Sequence, residues 1–232
     1  MTTRSKLHTQ IDRLNESLID ICNTVKEAIE LATAAFINKD IELAHQVLEI
    51  EREINQKEKD IESLCFKLLL QQQPVARDFR FISATLKMIT DMERIGDQAS
   101  DIAEICIELA NEPYIKPNLD QVSQMAEAAI KMVQDSISAV INHDKTLARA
   151  VIKYDQVVDD LFESMKDELF ALILADVQNG RQALDLLMIA KYYERIGDHA
   201  VNIAEWALYS ITGTKKPEKK KKPAPVGNGE VK

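Results

Sequence analysis

The chain alternates long amphipathic stretches, rich in strong helix formers, with a few widely spaced breakers. Pro74 follows the glutamine run 71–73, Pro113 and Pro117 bracket Tyr114 to Lys116, and Asn179-Gly180 reads as a helix stop. Milder breaks fall at Asn38-Lys39-Asp40 and Asn142-His143-Asp144, where Asp40 and Asp144 are placed to cap the helices that follow. The pattern predicts six helices near 5–37, 41–72, 77–111, 118–142, 145–176 and 181–211. At 1.5 Å per residue, each is roughly 45 Å long.

The six helices form two copies of three. Displaced by 104 positions, INKDIELAHQV (37–47) lies over INHDKTLARAV (141–151). Displaced by 101, MERIGDQASDIAE (92–104) lies over YERIGDHAVNIAE (193–205). The three-residue slip falls at the second interhelical turn, where a length change is tolerated. The expected fold is therefore all-α, two tandem antiparallel three-helix bundles born of an internal duplication. The expected boundaries are 1–112, 117–212 and a separate tail at 213–232.

The repeated phrase carries acids where an amphipathic helix places its core. With Ile82 at zero and about 100° per residue, Leu86 falls near ~40°, Ile89 near ~−20°, Glu93 near ~20° and Asp97 near ~60°. Leu187, Glu194 and Asp198 repeat those angles. In the preceding helix of the second copy Asp155 shares the stripe of Val151, Val158 and Phe162, with Asp159 at its edge; in the first copy Glu51 and Asn55 take those places. Like charges four residues apart on a helix repel by roughly 0.2–0.5 kcal/mol even in water, and more when turned inward. No lysine or arginine stands four residues from Glu93 or Glu194, and Arg94 and Arg195 point about 100° aside. The candidate metal ligands are therefore Asp155, Asp159, Glu194 and Asp198 in the second copy, and Glu51, Glu93 and Asp97 in the first, which is one charge short. Such an all-oxygen set suits iron, manganese, zinc or magnesium. Gly96 and Gly197, inside helices, point to close approach of another backbone or a bound group. The other reading of the same acids is a bundle rim with arginine salt bridges.

Charge divides the chain. Of the formal net −9, the stretch from Thr214 carries seven lysines against two glutamates, hence +5, which leaves −14 on the body. A body that acidic repels nucleic acid and favours cations. The tail is expected to be a disordered arm that adds solubility or rests weakly on anionic lipid or an acidic partner. Cys22, Cys65 and Cys106 are odd in number and form no C-x-x-C pair, so reduced core cysteines are expected. The N-terminal stretch has no apolar signal core, and the longest apolar run, LFALILA (169–175), is far short of the ~18 residues of a membrane helix, so a cytoplasmic location without membrane insertion is expected. His199 reads as a surface or packing side chain, and Arg77, Asp78 and Arg80 as capping and salt-bridging residues.

QQQPVARDFR (71–80), the two ERIGD phrases with IAE after them, and YDQVVDD (154–160) resemble the PhoU family, accessory proteins of bacterial phosphate-specific transport. The resemblance covers roughly residues 5–211. It implies two three-helix bundles, a homodimer, and a cytoplasmic negative regulator standing between the ATP-binding subunit of the phosphate ABC transporter and a phosphate-sensing histidine kinase. It also implies metal binding at Asp155, Asp159, Glu194 and Asp198, and at Glu51, Glu93 and Asp97. No Glu-x-x-His pairs, phosphate loop or nucleophile motif occurs in a matching place, so a non-enzymatic adapter is expected. A metal-dependent hydrolase, a metal-storage protein, or an accessory of a low-affinity phosphate permease are the competing readings.

Overall fold

The computed structural model describes residues 3–110 and 119–214. Six helices account for nearly all of them: α1 (Thr3–Asn38), α2 (Ile41–Gln72), α3 (Ala76–Leu109), α4 (Leu119–Ile141), α5 (Lys145–Ala175) and α6 (Gly180–Thr212), with a 3-10 turn at Val177–Asn179. Helices α1–α3 pack together, as do α4–α6; α3 against α6 and α1 against α4 join the two triples. Among the described residues, the backbones of α2 and α5 approach only helices of their own triple. The fold is the all-α tandem arrangement the repeats predict. The segment around Pro113 to Pro117 and the lysine-rich tail lie outside the described residues.

The first interhelical turn is the same in both copies. Asp40 accepts hydrogen bonds from the backbone N–H groups of Glu42 and Leu43 at 3.0 and 3.1 Å. Asp144 accepts from those of Thr146 and Leu147 at 2.8 and 3.0 Å. Each satisfies two donors that a helix start leaves orphaned. The preceding residues, Lys39 and His143, both adopt left-handed backbone with φ of 55° and 52°. The second turn differs in what makes it, though its ends fall within one residue of those expected. α5 ends at Ala175, where Asp176 leaves the helix with extended backbone and its carboxylate accepts the Gln178 N–H at 2.9 Å. Asn179 and Gly180 are both right-handed helical, and Gly180 opens α6. The short side chain of Asp176 captures the local backbone, a competition that overrides the breaker tendency of Asn-Gly.

The core is built from alanine and β- and γ-branched aliphatics, with Leu14, Leu18, Ile21, Ile54, Ile82, Met88, Met92 and Ile95 fully buried. Helix α3 is buried over a broad arc because α1, α2 and α6 all pack on it. Across the α3/α6 junction, numbers rise on one helix as they fall on the other. Arg80 lies by Gly213, Asp91 bonds Asn202, and Asp101 acts electrostatically on Tyr192. The two central helices are therefore antiparallel. Between α1 and α2, Lys57 reaches Asp20 at 2.6 Å, Glu53 at 3.0 Å and the Thr24 hydroxyl at 2.8 Å. The three cysteines are free and buried, and burial raises the thiols of Cys22 to about 11 and of Cys65 and Cys106 to about 12.

Candidate functional site

The repeated phrase sits where the second and third helices of each bundle meet. Gly96 is under α2: a Cβ there would stand 3.0 Å from Ile54 Cδ1 and 3.2 Å from its Cγ2. Gly197 is under α5, where a Cβ would stand 3.3 Å from Asp155 Oδ1. The glycines admit the neighbouring helix at this crossing, and in the second copy they admit a carboxylate.

In the first bundle the acids gather without converging. Glu93 and Asp97 keep side-chain exposures of 27% and 29%, so they stand at the rim of the buried arc and not on its axis. Ile82, taken as the zero of the helical angle, lies at the edge of that arc; its middle runs through Met88, Met92, Ile95 and Ala99. Burial first, and then the charges of Asp97, Glu58 and Glu51, push the Glu93 carboxyl above the usual carboxylate range against the pull of Arg94. Asn55 donates its side-chain N–H to Glu51, while its Oδ1 is buried without a hydrogen-bond partner. The structure thus brings Glu51, Glu93 and Asp97 into one electrostatic neighbourhood and adds Glu58 to it.

In the second bundle Glu194 is more deeply placed, at 12% side-chain exposure, and pairs with Lys191 three residues earlier. Asp155, Asp159 and Asp198 are half-buried, with Asp155 directed at Gly197. Lys191 also lies over the Phe162 ring, 5.3 Å from its centroid, which fixes this cation at the α5/α6 crossing.

These pairings correct the expectation that no cation balances the acids. The search for a partner four residues away misses the i,i+3 neighbour. Arg94 spans Glu93 at 3.4 Å and Asp97 at 3.1 Å, and Lys191 takes Glu194. Among the described residues no three His, Cys, Asp or Glu side chains stand together in a metal-holding arrangement. The donor set nevertheless suits a hard cation. It is all oxygen, it leaves Glu93 short of positive charge, and in Asn55 Oδ1 it has a buried acceptor with nothing to accept from.

Sequence reasoning did not find the contacts between the two halves. Asp91 Oδ1 lies 2.8 Å from His199 Nδ1 and accepts from Asn202 Nδ2 at 3.0 Å, so of the two roles expected of His199 it takes the packing one and ties α6 to α3. Tyr193 is fully buried, and its hydroxyl meets Thr33 Oγ1 of α1 at 2.7 Å. The signal available was Tyr193 itself, a polar aromatic in place of Met92 of the first copy. The expected salt bridging of Arg80 is also replaced: it packs against Gly213, with its Nε buried and unbonded.

The chain matches the PhoU domain family model over residues 18–106 and 122–207. It is 39% identical to the Aquifex aeolicus phosphate-specific transport system accessory protein PhoU homolog, covering 90% of this chain and 94% of that one. The crystal structure of PhoU from Pseudomonas aeruginosa superposes with a TM-score of 0.84 at 34% identity, over 89% of this chain and 99% of that one. The phosphate transport system regulatory protein PhoU from Streptococcus pneumoniae superposes at 0.82, with 26% identity over 94% and 100%.

Proposed function

Because the chain belongs to the PhoU family, we propose that it is the accessory protein of a phosphate transport system and acts there as a negative regulator. Matches to the family model in both halves, over the helices that carry the ERIGD phrases, are the observation behind this reading. In the finer form of the proposal it is a cytoplasmic, non-enzymatic homodimer. It contacts the ATP-binding subunit of the phosphate ABC transporter and a phosphate-sensing histidine kinase. Among the described residues no helix is long and apolar enough to cross a membrane.

The acidic crossings are the proposed metal sites. Asp155, Asp159, Glu194 and Asp198 would hold the ion in one bundle, and Glu51, Glu93 and Asp97 in the other. A bound divalent or trivalent ion, iron, manganese, zinc or magnesium, supplies concentrated positive charge to a face that is otherwise acidic. The residues themselves set the terms of that exchange. Arg94 and Lys191 hold the carboxylates in the absence of an ion; the Arg94–Asp97 pair is exposed enough to be worth roughly 0.5 kcal/mol, so releasing it opposes binding only weakly. The α2/α3 and α5/α6 crossings would then be joined by shared ligands, and their surfaces would become attractive to an acidic partner. Pull-down of the kinase and of the ATP-binding subunit, with and without chelator, is the test. The proposal expects recovery to fall with chelator, and equal recovery would remove metal from the mechanism while leaving the regulatory reading in place.

A further inference from the structure

Large apolar side chains are left in water chiefly at two turns. Among the described residues, Phe66, Leu70, Val75 and Phe79 stand exposed around the α2/α3 turn, and Phe170, Leu174 and Val177 at the α5/α6 turn. The 104-residue displacement carries Phe66 and Leu70 onto Phe170 and Leu174. Both copies thus keep a phenylalanine and a leucine, one helical turn apart, on an outward face. Exposed apolar side chains gathered in this way mark a surface that is covered in use. Because α3 and α6 run antiparallel, the two turns lie at opposite ends of the molecule, roughly 50 Å apart along α3 at 1.5 Å per residue.

The two ends differ in charge. From Phe66 to Arg80 the chain carries Lys67, Arg77 and Arg80 against the single acid Asp78, whereas from Phe170 to Met188 it carries Asp176 and Asp185 against Arg181 alone. The α4/α5 turn joins the first end, since His143 meets the Phe81 ring edge-on with centroids 6.4 Å apart, and it brings the exposed Lys145 with it. Helix α6 finishes there as well. Gly213, with φ of 75°, lies against Arg80, where a Cβ would be 3.5 Å from Arg80 Nε. The described chain therefore ends at Thr214 beside the α2/α3 turn, and the sequence continues from that point with six lysines among residues 215–222. Apolar side chains ringed by cations suit an anionic bilayer, where Phe and Leu enter the headgroup boundary and Lys and Arg meet the lipid phosphates. Neither signal alone holds a bilayer firmly, and at this end they coincide. We propose that the α2/α3 turn is a docking surface for an anionic lipid bilayer, with Phe66, Leu70, Val75 and Phe79 entering the headgroup boundary and Lys67, Arg77, Arg80 and the lysines after Thr214 meeting the lipid phosphates. From Ala76 to Gly96 is roughly 30 Å along α3 at 1.5 Å per residue, so this contact is separate from the candidate metal sites, and its failure would leave the regulatory reading in place.

Co-flotation of the full chain with lipid vesicles tests this, with chelator present so that no metal bridges carboxylates to headgroups. Phosphatidylcholine vesicles containing about a third phosphatidylglycerol are expected to bind the chain roughly tenfold or more tightly than phosphatidylcholine alone, and the preference should shrink at high salt. Phe66→Gln with Leu70→Gln, at exposed positions and checked for native helix content, should weaken binding to the anionic vesicles roughly tenfold. Phe170→Gln with Leu174→Gln, the same change at the acidic end, should leave that binding unaltered. No preference for anionic vesicles overturns the proposal. So does undiminished binding by the Phe66 and Leu70 variant, which would leave only a lysine-rich segment on lipid. A loss as large in the Phe170 and Leu174 variant overturns it by removing the distinction between the ends. Self-association through Phe66 and Leu70 in a chain that ignores the vesicles overturns it too, by assigning the turn to the acidic end of another copy.

Discussion

The two copies write the same acidic phrase and wire it differently. In the second, Glu194 is sunk and paired with Lys191, Asp155 fits over Gly197, and Tyr193 crosses to Thr33 on the far bundle. In the first, Glu93 stays at the rim among other acids, an isoleucine covers Gly96, and Met92 occupies the place of Tyr193. The difference shows how a duplicated unit divides labour. One copy spends its crossing on a compensated polar cluster and a tie to its neighbour, whereas the other keeps a carboxylate that Arg94 only partly offsets.

The tie is the place to break this comparison most strongly. Removing a fully buried aromatic costs about 4 kcal/mol, so Tyr193→Ala should lower unfolding stability by about that much, and its counterpart Met92→Ala by about 3 kcal/mol. Tyr193→Phe should cost only about 1 kcal/mol, because the Thr33 hydroxyl still bonds Ile29 O at 2.6 Å. Denaturant titration of the three variants checks the order, and a Phe variant as damaged as the Ala variant would deny the hydroxyl its limited role.

The glycines come next. Alanine gains about 1 kcal/mol of helix propensity at either position. At Gly96 the new methyl would meet both Cδ1 and Cγ2 of the buried Ile54 at 3.2 Å or less, and the overpacking of a tight core should outweigh the gain, leaving Gly96→Ala destabilised by about 1 kcal/mol. At Gly197 the tightest neighbour is the Asp155 carboxylate oxygen at 3.3 Å, which can swing away, so Gly197→Ala should be neutral within about 0.5 kcal/mol. Equal thermal shifts for the two would mean that the crossings are packed alike.

The smallest effect concerns the acids themselves. The native fold holds the Glu93 proton more readily than the unfolded chain does, since its carboxyl titrates above the ordinary range. The corresponding stability is present at acid pH and is lost as pH rises through the native titration. Glu93→Gln should therefore raise stability near neutral pH by about 0.5 kcal/mol and flatten its acid-side pH dependence, whereas Glu194→Gln, which strips Lys191 of its partner, should lower it by a similar amount. Melting curves from pH 4 to 7 in the presence of chelator distinguish the two signs.

Much of this was legible in the residues. Helix starts at Asp40 and Asp144 followed from capping chemistry that is local and strong, and the fold followed from a repeat that could be read at fixed displacement. The residues singled out as candidate ligands lie on α2, α3, α5 and α6 as their helical spacing implied, because helical angle is a local quantity. Their depth was not legible, since the centre of a buried arc depends on how many neighbours a helix has, and α3 has three. Nor was Lys191, which the i,i+4 rule passes over, or Asp91, whose partners His199 and Asn202 lie more than a hundred residues away. The break before α6 falls within one residue of the expected ends at 176 and 181, but Asp176 and not Asn179-Gly180 makes the turn.

The most direct test of the central claim, that the paired acidic crossings hold metal, is elemental analysis of the full chain purified without chelator. It should be compared with a variant in which Asp155, Asp159, Glu194 and Asp198 are replaced by their amides. The account predicts about one ion or more per chain of iron, manganese, zinc or magnesium, with a marked loss in the variant. A metal-free native chain, or metal retained undiminished by the variant, would contradict it.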